Sequence, residues 1–183
     1  MKKFILAIAA ITSMTATSAF AEGYVGGAIG QGHTDIDCEG AATCKLSSTG
    51  YKIFGGYKFS PNLAAEVTYF DFGKADIADP GLSLNLKTTG IGLGVAFSGN
   101  FAPQWSGVAR LGIASNRVKA FATLGAASGS DSESSTNAYA GIGIGYEISK
   151  GLKLDASLDF SRGKIEGESA DLRLFSVGVT YSF

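Results

Sequence analysis

The sequence predicts an all-β fold, an eight-stranded antiparallel up-and-down transmembrane β-barrel with short periplasmic turns and four longer extracellular loops. Three observations carry that expectation. Large apolar residues alternate with small or polar ones along eight segments, most plainly over Phe175–Phe183, where Phe, Val, Val, Tyr and Phe share one face and nothing follows to cover it. The segments run to about ten residues, the length of a tilted strand crossing hydrocarbon. Their connections alternate short and long, the asymmetry of bacterial outer-membrane barrels.

Before the first strand, Met1, Lys2 and Lys3 form a basic n-region, Phe4–Ile11 a short apolar core, and Ala19-Phe20-Ala21 an A-x-A cleavage box. That apolar core is about half the roughly 20 residues needed to span a bilayer as a helix. Residues 1–21 therefore read as a cleaved signal peptide and 22–183 as one outer-membrane barrel domain, placed in the bacterial outer membrane after export.

The strands are expected at 23–33, 50–59, 62–72, 84–98, 105–116, 136–148, 152–162 and 172–183. An even number lets both chain ends lie on one side of the membrane. Ser60-Pro61 is a short connection, Gly99–Gln104 a modest one and Ser149-Lys150-Gly151 a short one. The polar stretches 34–49, 73–83, 117–135 and 163–171 are the longer ones.

Glycine stands out at 26 residues against 3 prolines, and it falls at alternate positions inside apolar runs. Gly90, Gly92 and Gly94 interleave with Ile91, Leu93 and Val95; Gly141, Gly143 and Gly145 interleave with Ile142, Ile144 and Tyr146. No helical period follows either run, so neither reads as a dinucleotide loop. Glycine instead keeps the inner wall of a narrow barrel uncrowded and lets a coiled sheet bend.

Threaded in this direction, the aromatics form two bands. Tyr57, Phe59, Phe97, Phe101, Trp105, Tyr146, Tyr181 and Phe183 fall on the periplasmic rim; Tyr51, Tyr69, Phe72, Phe160 and Phe175 fall near the outer rim. Aromatic rings favour the headgroup level at both interfaces. The opposite strand faces carry Lys52, Lys58, Glu66, Arg110, Glu147, Lys153, Asp155 and Asp159. Eight strands enclose room only for side chains, so these charges must pair and form a polar plug. In a catalytic reading Glu147, Asp155 or Asp159 would serve as general acid or base, but no nucleophile and histidine accompany them on the same strands.

Charge excludes another class. Fifteen Lys and Arg against sixteen Asp and Glu give a formal charge of −1, and removal of Lys2 and Lys3 makes the mature chain more acidic, unlike a nucleic-acid binder. Hydrophobic residues make up 45% of the chain, yet no mature segment holds the 18 or so continuous apolar residues of a membrane helix, so membrane contact must come from strands.

These residues resemble the small outer-membrane β-barrels of the OmpA-like transmembrane domain type, also called porin-family outer-membrane proteins. The resemblance rests on Gly23-Tyr24-Val25-Gly26-Gly27-Ala28-Ile29-Gly30, on Tyr51–Phe59 with Pro61–Phe70, on Ala109-Arg110-Leu111-Gly112 and on Tyr181-Ser182-Phe183. It implies a salt-bridged lumen plug at Glu66, Arg110, Lys52, Lys58 and Glu147. It also implies an assembly signal at Val179, Tyr181 and Phe183, read by the barrel-assembly machinery. The implied partners are outer-membrane lipid and lipopolysaccharide, that machinery and periplasmic chaperones during biogenesis, and host or surface ligands reached through the loops.

Cys38 and Cys44 lie in the first long loop of an exported chain, and a disulfide is expected. Closing so short a loop is worth about 2 kcal/mol and acts on the loop rather than the sheet. The sole histidine, His33, with Asp35 and Asp37 nearby, makes a poor ligand set beside the thiols. No metal, cofactor or catalytic site is expected. A structural, surface-interacting barrel with a plugged polar lumen is the expected function, and the loop Ala120–Asn137, rich in serine, is the place for partner contact. The alternatives are a narrow nonspecific pore and, third, an outer-membrane hydrolase depending on His33.

Overall fold

Among the described residues nine strands follow one another: β1 (Glu22–Asp35), β2 (Thr43–Lys45), β3 (Ser47–Ser60), β4 (Leu63–Asp79), β5 (Leu82–Asn100), β6 (Trp105–Leu124), β7 (Ala127–Ser149), β8 (Leu152–Ile165) and β9 (Glu168–Ser182). The computed structural model describes residues 22–35, 43–79, 82–124, 127–165 and 168–183. All strands but β2 pair antiparallel with their sequence neighbours, and β1 pairs with β9, closing an eight-stranded barrel. The short β2 lies at the outer end of β4, with Cys44 opposite Ile77.

The seam between first and last strands is held to its end. Gly23 N–H donates to the Phe183 carbonyl at 3.2 Å, and Phe183 N–H returns a bond to the Gly23 carbonyl at 2.9 Å. On the same rim Pro61 and Asn62 turn the chain from β3 to β4, and the Asn62 amide donates to the Ser98 carbonyl at 2.7 Å. The β7–β8 turn closes through Gly151 at φ +78°, a conformation open to glycine at no steric cost.

Outside and inside are chemically inverted relative to a water-soluble protein. Val25, Ile29, Ile53, Val67, Ile91, Leu93, Leu111, Ile113, Ile142, Ile144 and Val177 point outward, each 50–64% exposed. Lys52, Glu66, Arg110, Asn116 and Asp159 are buried within. A continuous exposed apolar belt of this extent is stable only against hydrocarbon.

Two expectations are corrected. The stretches 73–83, 117–135 and 163–171, read as polar connections, are mostly strand: β4 and β5 pair out to Asp79 and Leu82, β6 and β7 to Leu124 and Ala127, and β8 and β9 to Ile165 and Glu168. A main-chain ladder needs no alternating apolar face, and the buried cluster of Ala75, Leu86 and Val118 packs beneath the outer ends of β4, β5 and β6. Ala120–Asn137 is accordingly a paired ladder for most of its length rather than an open loop. Phe72, placed in the outer aromatic band, is instead buried at 2% exposure, because it shares strand parity with Glu66 and Phe70 and so faces inward. Residues 1–21 and Cys38, together with the Cys44 side chain, lie outside what the structure describes.

Candidate functional site

The interior is built in layers along the barrel axis. At the short-turn end, Tyr24, Phe54, Ala64 and Ala96 cluster. Charged groups follow, and above them Phe70, Phe72, Ala114, Tyr139, Leu172 and Leu174 form a second apolar layer. Phe70 stacks on Phe72 at 5.4 Å between centroids and meets Tyr139 edge-on at 5.1 Å.

Two ion pairs make the charged layer. Arg110 Nε donates to Glu66 Oε1 at 2.8 Å, and Lys52 Nζ donates to Asp159 Oδ2 at 2.5 Å. Both pairs cross the lumen past small residues. Gly94 faces Glu66 and Ala96 faces Arg110 on the intervening β5; Ala28 and Gly178 occupy the register positions beside Lys52.

Neutral groups extend the network, although Arg110 Nη1 is buried without a hydrogen-bond partner. Tyr24 donates to Glu66 Oε2 at 2.8 Å and Thr68 to Oε1 at 3.1 Å. Lys52 also donates to Ser157 at 2.8 Å, while Tyr139 donates to Asp159 Oδ1 at 3.3 Å. Both cations lie over the Phe54 ring, Arg110 Cζ 5.1 Å and Lys52 Nζ 5.4 Å from its centroid. Desolvating four charges costs several kcal/mol each unless such partners are present, and here every charged group has at least one.

The remaining predicted charges lie nearer the short-turn mouth. Lys58 pairs with Glu22 at 2.8 Å, Asp155 accepts from Thr180, and Lys153 reaches Ser106 at 3.4 Å. Glu147 stands opposite Lys153 in register, half-buried, and its N–H donates to the Gln104 carbonyl; the structure does not bring its carboxylate into the paired network. A cavity of about 70 Å³ at this mouth is lined by Phe54, Lys58, Arg110, Lys153 and Asp155 among others. It holds a few waters at most.

Tyr24, Tyr139, Thr68, Ser157 and Phe54 were not singled out from the sequence. The signal was present as strand parity, because each lies an even number of positions from an inward charge on its own strand or opposite one on a neighbour. The glycines are likewise specific. Tyr24 lies over Gly56, its register partner, and Phe54 over Gly26, where a side chain would collide with each ring.

At the outer end, His33 Nδ1 lies 2.6 Å from Ser47 Oγ. Lys87 bonds the buried Asp71 carboxylate at 3.0 Å, and that hydrogen bond raises the pKa of its ammonium group. Among the described residues no group of three His, Cys, Asp or Glu is arranged to hold a metal ion.

Comparison with known proteins agrees with this architecture. The sequence profile of the outer membrane protein beta-barrel domain matches residues 4–183. The attachment invasion locus protein Ail of Yersinia pestis is similar in structure at TM-score 0.62 and 16% identity, over 90% of this chain and 99% of that one. The outer membrane protein OprG of Pseudomonas aeruginosa follows at TM-score 0.61 and 12% identity, over 90% and 96%. Neisserial surface protein A stands at TM-score 0.55 and 17% identity, over 91% and 98%. At these identities the likeness is one of fold. No curated protein sequence matches the chain.

Proposed function

The chain belongs to the outer membrane β-barrel domain family, and from that premise we propose an integral barrel whose lumen is closed by its own side chains and whose activity is at the cell surface. The observation that supports this reading is the interior packing. Glu66, Arg110, Lys52 and Asp159 are paired across the lumen, and Phe70, Phe72 and Tyr139 close the space above them. An ion crossing this layer would have to break a buried pair, at about 3–5 kcal/mol, and displace aromatic rings as well.

Contact with other molecules then falls to the outer hairpins. Ail, similar in fold, carries the name attachment invasion locus protein and has a crystal structure in complex with the heparin analogue sucrose octasulfate. Surface recognition by the outer ends of β4–β7 is the corresponding role here, without enzymatic activity. The same reading includes export through a cleaved segment 1–21, insertion by the barrel-assembly machinery through Val179, Tyr181 and Phe183 after handling by periplasmic chaperones, and a loop disulfide between Cys38 and Cys44.

Single-channel recording of the refolded protein in a planar bilayer tests closure. A flat baseline is expected. Discrete conductance steps that change when Glu66→Gln or Arg110→Met is introduced would replace this reading with the narrow pore. Hydrolysis of lipid or ester substrate that is lost in His33→Ala would replace it with the hydrolase.

A further inference from the structure

At the short-turn mouth two cations face one cavity with donors to spare. Arg110 is 7% exposed, and its Nη1 is a buried nitrogen without a hydrogen-bond partner. A guanidinium is a rigid planar fork of five N–H donors, in which Nε and Nη2 share one edge and Nη1 belongs to the opposite one. With Nε given to Glu66 at 2.8 Å, Nη1 is turned away from that carboxylate. Arg110 lines both the mouth cavity of about 70 Å³ and a smaller one of about 10 Å³ beside Lys52, and Glu66 lines neither. The two cavities adjoin, since Phe54, Val108 and Asp155 also line both.

Lys153, half-buried on β8, is the second cation. An ammonium group carries three donors, and the one hydrogen bond it makes among the described residues goes to Ser106 Oγ at 3.4 Å, a long contact. Glu147, opposite it in register, forms no ion pair with it. The third lining cation, Lys58, is already held by Glu22 at 2.8 Å. Among the described residues the only carboxylate lining the mouth cavity is Asp155, whose Oδ2 accepts from Thr180 and whose Oδ1 lies over Gly145.

The glycine leaves the space in which an acceptor fits. A Cβ on Gly145 would stand 2.8 Å from Asp155 Oδ1 and 3.1 Å from Ser106 Oγ, closing the cavity between β6 and β8. One water takes about 30 Å³, so the mouth has room for a halide or a formate-sized carboxylate with a water beside it, and none for a sugar acid. A neutral water satisfies a donor without offsetting its charge. An anion accepts charge-assisted bonds from both cations, and walls such as Phe54, Val108 and Ala96 lower the local dielectric in which those bonds act.

We propose that the short-turn mouth binds one small monovalent anion between Arg110 Nη1 and Lys153 Nζ, with Ser106 Oγ beside it and Asp155 as the group that limits affinity. This goes beyond the surface reading above, because the site lies at the end of the barrel opposite the long hairpins. The anion braces β6 to β8 across β7, and it stabilises the folded barrel by mass action.

The test uses the full barrel refolded into phosphatidylcholine nanodiscs and titrated with sodium bromide or sodium formate, with sodium gluconate at equal ionic strength as the anion too large to enter. Side-chain N–H resonances of Arg110 are followed by NMR, and bromide-soaked crystals are searched for anomalous scattering. A saturable shift with bromide and formate but not gluconate is expected, with a bromide peak within hydrogen-bond distance of Arg110 Nη1. Lys153→Gln should weaken bromide binding at least about fivefold, Asp155→Asn should tighten it about threefold, and Arg162→Gln at the far end should leave it unchanged. An equal shift in gluconate, a shift that never saturates, or equal bromide affinity in wild type and Lys153→Gln overturns the proposal. Bromide peaks confined to exposed lysines mean an adventitious ion only and overturn it as well. Heat-modifiable mobility checks that each variant is folded, and the wild-type titration decides by itself where a variant is not.

Discussion

Asp159 on β8 folds its carboxylate over Gly141, the residue directly opposite it on β7, and Oδ1 lies 2.5 Å from where a Cβ on that glycine would stand. The same relation joins Asp155 to Gly145 and Asn116 to Gly90. Interior polar side chains are thus accommodated by a missing side chain on the next strand. Room of this kind is what allows Asp159 to reach Lys52 across the lumen.

Gly141→Ala is therefore expected to push Asp159 off Lys52 and destabilise the barrel by about 1–3 kcal/mol, the usual cost of overpacking. Gly27→Ala is the matched control, since a Cβ there meets only the Lys52 carbonyl at 3.9 Å. It should change stability by less than about 1 kcal/mol. Urea unfolding in lipid vesicles, followed by Trp105 fluorescence, measures both.

Removing one member of a buried pair should cost more than removing both. Glu66→Gln leaves the Arg110 guanidinium, 7% exposed, without its anion and is expected to lose about 3–5 kcal/mol. Combining it with Arg110→Met should recover part of that loss. A double-mutant cycle by the same unfolding assay reads the coupling, and strict additivity would mean the two groups do not interact.

Deleting Phe183 removes both backbone bonds that finish the β1–β9 seam and the ring that packs beside Tyr181 at 6.3 Å. Slower assembly is expected, with a larger share of chain lacking heat-modifiable mobility. Phe183→Tyr keeps the backbone bonds and an aromatic ring and should assemble at close to the original rate.

Cys38→Ser with Cys44→Ser should leave heat-modifiable mobility and unfolding of the barrel unchanged within about 0.5 kcal/mol, since the proposed crosslink would join two positions only six apart in sequence, between β1 and β3. Thiol titration of the unfolded wild type, before and after reduction, reports whether the two cysteines are joined. An unfolding midpoint that falls sharply in the double variant would show that the loop supports the sheet.

Much of the site was legible at the level of faces. Period-two alternation assigned Lys52, Glu66, Arg110 and Asp159 to the interior and Tyr51, Tyr69, Phe160 and Phe175 to the outer band, because in a strand parity alone decides the side. Phe72 was misplaced for want of the same parity rule. The Ser-rich span near 128–136 read as loop because it offers no apolar alternation. Hydrogen-bonded pairing between two backbones does not require it, so composition could not reveal that the ladder continues.

The sequence by itself determined the eight barrel strands, the outward apolar belt and the inward facing of Lys52, Glu66, Arg110 and Asp159, since each is a property of one strand at a time. Only the tertiary structure decided which cation meets which anion, that Glu147 stays apart, and that Arg110 and Lys153 face one cavity at the short-turn mouth. Those relations depend on barrel closure and on the stagger between strands. Lys52 and Asp159 are 107 residues apart in sequence, and nothing in either strand's pattern specifies the height at which the other will pass.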